Sequence, residues 1–538
     1  MKRVVRTPDF PIVETRLGKL HGFKQDDVYH FHGIRYGTAD RFEMPVMEQP
    51  WEGIRDAKSY GYICPLLPEN RQAQTSVTHD PAEEANPMAQ PFGSFEMPHV
   101  YWPMSEQCLY LNLWTKHLDS EARRPVMVWI HGGGFSAGSS IELPGYDGHN
   151  LADYADVVIV NLNHRLNCIG FLDLSEFGEA YQNSGSLGLA DIVLALQWVK
   201  DNISFFGGDP DNITVAGQSG GGGKVTMLMQ MPAADGLYHK VISQSGAIMR
   251  ENRNTLEEEQ EHWRTLARKT VEILGLNQDT IDEIRTIPYE TLADAASEAG
   301  KTLGREGGLM LFQPSPVQGL YEGPCHLAGF RRETAHIPCM AGTVLGEFSF
   351  MHYLGDKRRY SQEEKLSILR ETFGEDTDRI LELFIRNYPD KDILYSLSVD
   401  TLFRPGTVEF LDARINYLEQ ESPDTPCWNY LMSFIIPYLG GIVPFHCADI
   451  SYVFRNVESE LLLCAGYEYA SELQDRISEA WIAFMSTGNP STSKLAWKPY
   501  RTREKARMII DEKCFVTMED DRELLELIRK HGPFASGT

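Results

Sequence analysis

The stretch ITVAGQSGGGGKVTM, residues 213–227, decides how this chain is read. After a short β-branched and apolar run, a serine and a lysine flank four consecutive glycines. Two chemistries use such a stretch. A phosphate-binding loop cradles a nucleotide with glycine amides and a lysine. A nucleophile elbow uses small neighbours to point a strained serine into a pocket. Spacing separates the two. A phosphate loop needs a glycine five residues before its Gly-Lys pair and a hydroxyl just after the lysine. Those places hold Gln218 and Val225, so both tests fail. The elbow needs Gly-x-Ser-x-Gly between a strand and a helix. Gly217-Gln218-Ser219-Gly220-Gly221 supplies it. ITVAG (213–217) reads as a buried strand and KVTMLMQM (224–231) as the helix start. Alone, the pentapeptide also fits an ordinary glycine-rich turn, so Ser219 needs partners.

The flanking segments supply a framework. RPVMVWIHGGGF (124–135) is an apolar run ending in a glycine cluster, and DVVIVNLN (156–163) is a second buried-strand pattern. LADIVLALQWVKDNISFF (189–206) has helical apolar spacing, and HKVISQSG (239–246) offers another short strand. Strand, helix, strand in alternation predicts an α/β fold with a large, mostly parallel central sheet and helices on both faces. The chain is read as one domain over 1–538. Charged amphipathic patterns predict helical cap insertions at about 250–335 and 355–425. IPCMAGTVLGEF (337–348), CWNYLMSFI (427–435) and ARMIIDEKCFVTM (506–518) return to strand character. The polar, irregular stretch at about 65–107 reads as a lid-like loop.

Bulk composition excludes several classes. Hydrophobic content of 42% and charged content of 23% are those of a globular protein. The net charge of −26 argues against nucleic acid and anionic membrane surfaces as partners. The first residues carry no apolar signal core, and no run of uncharged apolar residues is long enough to span a membrane. Nine cysteines, an odd number without CxxC spacing, point to neither a full disulfide framework nor a zinc site. The expectation is a cytoplasmic protein, monomer or homodimer, with no metal and no cofactor.

An elbow serine needs oxyanion donors, a general base and an acid that orients the base. His131-Gly132-Gly133-Gly134 has the form of an oxyanion loop after a strand. The amides of Gly133, Gly134 and Gly220, the residue after the serine, are the candidate donors. His446, in GGIVPFHCADISYVF (440–454), is the best-placed base downstream of Ser219. For the acid, Glu347 follows a strand-like run and lies between serine and histidine, whereas Asp449 sits closer to His446 but after it. Pattern alone leaves both open.

The chain resembles the type B carboxylesterases, the carboxylesterase/cholinesterase branch of the α/β-hydrolases. The resemblance runs through FHGIRYG (31–37), SEQCLYLNLW (105–114), PVMVWIHGGGF, NHRLNCIGFL (163–172), the elbow, ISQSG (242–246), FHCADISYVF (445–454) and WIAFMSTGNPS (481–491). It implies an α/β-hydrolase fold and a serine hydrolase acting on a small-molecule ester. It also implies Glu347 as the acid, His446 as the base, and Ser245 behind the triad. The chain departs from the family's usual Glu and Ala beside the nucleophile, having Gln218 and Gly220. Pro98 stands where cholinesterase relatives place a cation-binding tryptophan, so choline esters are not the expected substrates. The same triad also serves amides and thioesters, and some relatives are inactive binding modules. The sequence does not separate ester from amide. The presence of Ser219, Glu347 and His446 argues against the inactive module.

Overall fold

Continuous apolar runs form strands here because both faces of the sheet are covered. The computed structural model describes residues 11–68, 70, 100, 102–247, 249, 255–305, 311–348, 354, 356–438, 440–460, 463 and 466–531. Most of the predicted 65–107 loop, Pro98 included, lies outside them. By internal contacts the chain groups into two units.

The first unit draws on residues within 1–77, 99–243 and 251–337. The strands it contributes to the large sheet are β1 (Phe23–Gln25), β2 (Val28–Arg35), β3 (Tyr110–Thr115), β4 (Arg124–Ile130), β5 (Val158–Leu162), β6 (Gly208–Gln218) and β7 (Lys240–Gln244). They lie side by side as β7-β6-β4-β5-β3-β2-β1. β6, β4 and β5 are mutually parallel neighbours, and β3, β2 and β1 continue antiparallel. Val126 to Ile130 of β4, all of β5, and Ile213 to Gln218 of β6 are buried, as their apolar runs predict. The helices used below are α1 (Leu187–Asn202), α2 (Gly220–Leu228), α3 (Leu256–Ile273) and α4 (Tyr289–Thr302). α3 opens on a reciprocal cap: Thr255 Oγ1 accepts from the Glu258 amide while the Glu258 carboxylate accepts from the Thr255 amide.

One difference from the sequence pattern matters. α2 begins at Gly220, directly after the serine, and not at Lys224. Glycine is a poor helix former, so periodicity placed the start after the glycines. Tight packing against β4 overrides propensity there.

The second unit draws on residues within 78–98, 244–250 and 338–538. It carries β8 (Cys339–Val344), β9 (Cys427–Met432), β10 (Arg507–Ile510) and β11 (Phe515–Thr517), in that spatial order. The first three are parallel and fully buried, and β11 closes the edge antiparallel. Its helices include α5 (Gln362–Phe373), α6 (Thr377–Asn387), α7 (Phe403–Glu421), α8 (Ala448–Phe454), α9 (Tyr467–Thr487) and α10 (Arg522–Arg529). Among the described residues, no helix is long and apolar enough to cross a membrane.

Candidate active site

In the first unit, β4 and β6 run parallel in register, with Gly217 opposite Ile130. Their carboxyl ends therefore share one edge, the usual place for a ligand in a parallel sheet. The loops that follow are the His131–Gly134 segment and the elbow. Ser219 has φ 57° and ψ −128°, a backbone that costs a non-glycine residue about 1–3 kcal/mol. Gly217 and Gly221, two residues to either side, are glycine because the chain passes too close for side chains. A Cβ on Gly221 would stand 2.1 Å from the Ile130 carbonyl oxygen, and one on Gly217 would stand 2.6 Å from the Gly221 carbonyl carbon. The structure thus brings Ser219 together with the candidate oxyanion loop. A Cβ on Gly132 would reach 3.4 Å from the Ser219 Cβ and 3.5 Å from Oε1 of Gln218, itself buried. Gly133 and Gly134 turn with φ of 80° and 60°.

Gly220 meets the same loop. A Cβ there would fall 2.2 Å from the Gly134 carbonyl oxygen and 2.6 Å from the Gly134 Cα. In this chain the Gly134 backbone occupies the space that the usual alanine methyl would need. Gly220→Ala is therefore expected to displace Gly134 and lower kcat by about 10²-fold, as loss of one oxyanion donor does. Steady-state kinetics on a variant with an unchanged melting curve checks this. Wild-type kcat in that variant would mean the loop yields freely.

In the second unit, the segments after β8 and β9 carry the candidate acid and base. Glu347 follows β8 at φ 37°, and Cys447, next to His446, has φ 73°. The His446 amide donates to the Glu347 carbonyl at 3.1 Å, which sets the two residues side by side. Nδ1 of His446 lies 2.5 Å from Oε2 of the fully buried Glu347. The other oxygen, Oε1, accepts from Ser245 Oγ at 2.6 Å and from the Val344 amide at 3.1 Å. Ser245 is itself held at φ 48°, its amide donating to the Gly342 carbonyl at 2.8 Å. So Glu347, His446 and Ser245 are brought together. Asp449, the rival acid, instead accepts from Gln244 Nε2 at 2.7 Å. Gln244 Oε1 accepts in turn from the Trp481 indole at 3.0 Å. Burial, then repulsion from Glu347, pushes the Asp449 carboxyl up to about 7 despite that hydrogen bond.

Three residues escape the sequence reading. Phe348 and Phe403 pack on the His446 ring, with centroids 4.5 and 4.8 Å away. Asp400 accepts from the amides of Leu402, Phe403 and Arg404 and so fixes the start of α7, where Phe403 sits. Burial, followed by the charge of Glu347, pushes the Asp400 carboxyl up to about 7. Phe348 carried a signal in its adjacency to Glu347. Asp400 and Phe403 carried none. Among the described residues, no group of three or more His, Cys, Asp and Glu could hold a metal ion.

The chain is similar to known proteins along nearly its whole length. The model of the carboxylesterase family matches residues 9–524. The para-nitrobenzyl esterase of Bacillus subtilis (strain 168) is 32% identical over 530 residues, covering 95% of this chain and 96% of that protein. The phenmedipham hydrolase of Pseudarthrobacter oxydans is 28% identical over 93% of this chain and 95% of its own length. Among solved structures, an esterase from the anaerobe Clostridium hathewayi, which can hydrolyse aliphatic aromatic polyesters, superposes with a TM-score of 0.86. It is 38% identical, and the match covers 99% of this chain and all of that one.

Proposed function

Since the chain belongs to the carboxylesterase family, and so is a serine ester hydrolase of the α/β-hydrolase fold, we propose that it works through an acyl-enzyme on Ser219. Ser219 Oγ attacks the ester carbonyl carbon while His446 takes its proton at Nε2. Glu347 holds Nδ1–H and steadies the imidazolium. The carbonyl oxygen becomes an oxyanion that the amides of Gly133, Gly134 and Gly220 receive. The C–O bond to the alcohol then breaks, and His446 returns the proton to the leaving oxygen. Water, deprotonated by the same histidine, attacks the acyl-enzyme and frees acid and serine. The observation that carries this reading is the buried acid–base pair, with Glu347 accepting from both Ser245 and the Val344 amide.

The proposed substrates are small, neutral carboxylic esters, with aromatic alcohols the first class to try because a relative is a para-nitrobenzyl esterase. We place the protein in the cytoplasm. There the buried Cys64 and Cys108 would remain thiols. The test is steady-state hydrolysis of p-nitrophenyl esters from acetate to octanoate, beside para-nitrobenzyl esters and matched anilides and thioesters. Esters are expected to turn over, with the acyl-length optimum sizing the pocket. Anilide or thioester turnover equal to ester turnover would replace the ester assignment. A well-folded protein with no turnover at all would return the inactive binding module.

A further inference from the structure

The lysine that closes the glycine run has no part in the mechanism above. Lys224 is fully buried on α2. Its ammonium donates to the Gly134 carbonyl at 2.8 Å and to the His131 carbonyl at 3.4 Å, and lies 5.2 Å from the centre of the Phe135 ring. A buried ammonium is costly unless something is gained from it, and lysine is among the residues least often found inside.

What it holds is the oxyanion loop. An amide donor is aimed by its peptide plane, and the plane is fixed by what its carbonyl meets. The Gly132 carbonyl, in the plane that carries the Gly133 amide, lies 3.0 Å from Nδ1 of His131. The Gly133 carbonyl, in the plane that carries the Gly134 amide, accepts from the amides of Ser136 at 3.3 Å and Ala137 at 3.1 Å. The Gly134 carbonyl, in the next plane along, which carries the Phe135 amide, is held by Lys224, so Lys224 anchors the C-terminal end of the donor turn from the helix that starts immediately after Ser219. The same helix carries Gly220, pressed against Gly134.

We propose that Lys224 is a positioning residue of the oxyanion hole. Its ammonium ties the Gly133–Gly134 turn to the nucleophile's helix and sets a buried positive charge behind the donors. This rests on reading Gly133, Gly134 and Gly220 as those donors. A fixed charge in a dry site acts on the oxyanion and not on the neutral ester, so it lowers the barrier without tightening substrate binding.

The titratable groups acting around it are His131, His164 and Glu142. The rings of His131 and His164 stack at 4.9 Å. Burial, with Lys224 adding to it, pushes His131 down to about 3 and His164 well below the ordinary range, so both stay neutral at working pH. Burial pulls Lys224 down to about 7 against the opposing charge of Glu142. As pH rises through that value the ammonium becomes an amine. kcat therefore falls on the alkaline side while KM holds.

The experiment compares wild type, Lys224→Met and Lys224→Gln as full chains. It reads kcat and KM for p-nitrophenyl butyrate from about pH 6 to about pH 9, and amide hydrogen exchange of the peptide spanning 131–137 by mass spectrometry. Lys224→Met is expected to lower kcat by about 10- to 10²-fold, with KM within about threefold. It should also speed exchange in that peptide and flatten the alkaline fall. Lys224→Gln keeps a donor without the charge, so it should keep more of the exchange protection and still lack the fall. Unchanged kcat and unchanged exchange in the methionine variant would overturn the proposal. So would an alkaline fall that survives in both variants. If wild type gave no Ser219-dependent turnover, the nucleophile assignment would fail. The exchange measurement would then still decide the loop anchoring, faster exchange supporting it and unchanged exchange overturning it.

Discussion

Ser219→Ala is expected to abolish ester turnover while leaving the fold intact. The alanine keeps the Cβ that the elbow already accommodates and removes only Oγ. The φ of 57° is as costly for alanine as for serine, so no strain is released and the melting temperature should hardly move. The hydroxyl lies in the one place where attack on a carbonyl is proposed, and water cannot replace it in the same geometry. Loss of a triad nucleophile costs about 10⁴- to 10⁶-fold in kcat, the residue being what the oxyanion hole and binding achieve alone. The measurement is kcat for p-nitrophenyl butyrate, with circular dichroism and a melting curve on the same sample. Retention of more than about a hundredth of wild-type kcat would remove Ser219 from the mechanism. A burst of p-nitrophenol in wild type, absent from the variant, would show the acyl-enzyme directly.

The elbow was legible because it is local. A β-branched run, a Gly-x-Ser-x-Gly turn and a following helix lie within one short window, and parallel pairing with β4 put the glycine loop beside it. The acid was not legible from pattern. Glu347 and His446 are 99 residues apart, and Ser245 and Glu347 are 102 apart. Spacing gives order along the chain and not contact, so Asp449, nearer in sequence, stayed in contention until the resemblance favoured Glu347, the carboxylate that meets Nδ1 of His446 in the structure. The burial of Lys224 was not legible for a different reason. In the phosphate-loop test it was only a lysine lacking the right neighbours, and nothing local marks a lysine that will be buried. The helix start failed by the same logic. Four glycines argue against a helix by propensity, and the Gly134 and Ile130 backbones explain the first two of them, Gly220 and Gly221.

The acid assignment can be tested by a change of one atom. Glu347→Gln is expected to lower kcat by about 10³- to 10⁴-fold at nearly constant KM, because an amide at this site cannot satisfy both sides. Oε1 receives the Val344 amide, a donor fixed by the backbone. The glutamine must turn its oxygen there, which leaves its NH₂ facing Nδ1 of His446. Facing a donor, Nδ1 has to be the acceptor, and the ring proton moves to Nε2. That nitrogen is then unable to take the Ser219 proton. The reverse flip would set NH₂ against the Val344 N–H, a buried clash of donors that costs about 1–3 kcal/mol. The Ser245 hydroxyl can rotate to either arrangement, so Ser245→Ala should lower kcat far less. Asp449→Asn is the control, because its hydrogen bond comes from Gln244 and it holds no imidazole proton. Steady-state kinetics on the three variants separates the cases. If Asp449→Asn caused the large loss and Glu347→Gln did not, the orienting acid would be Asp449, and the 2.5 Å contact at His446 would be structural.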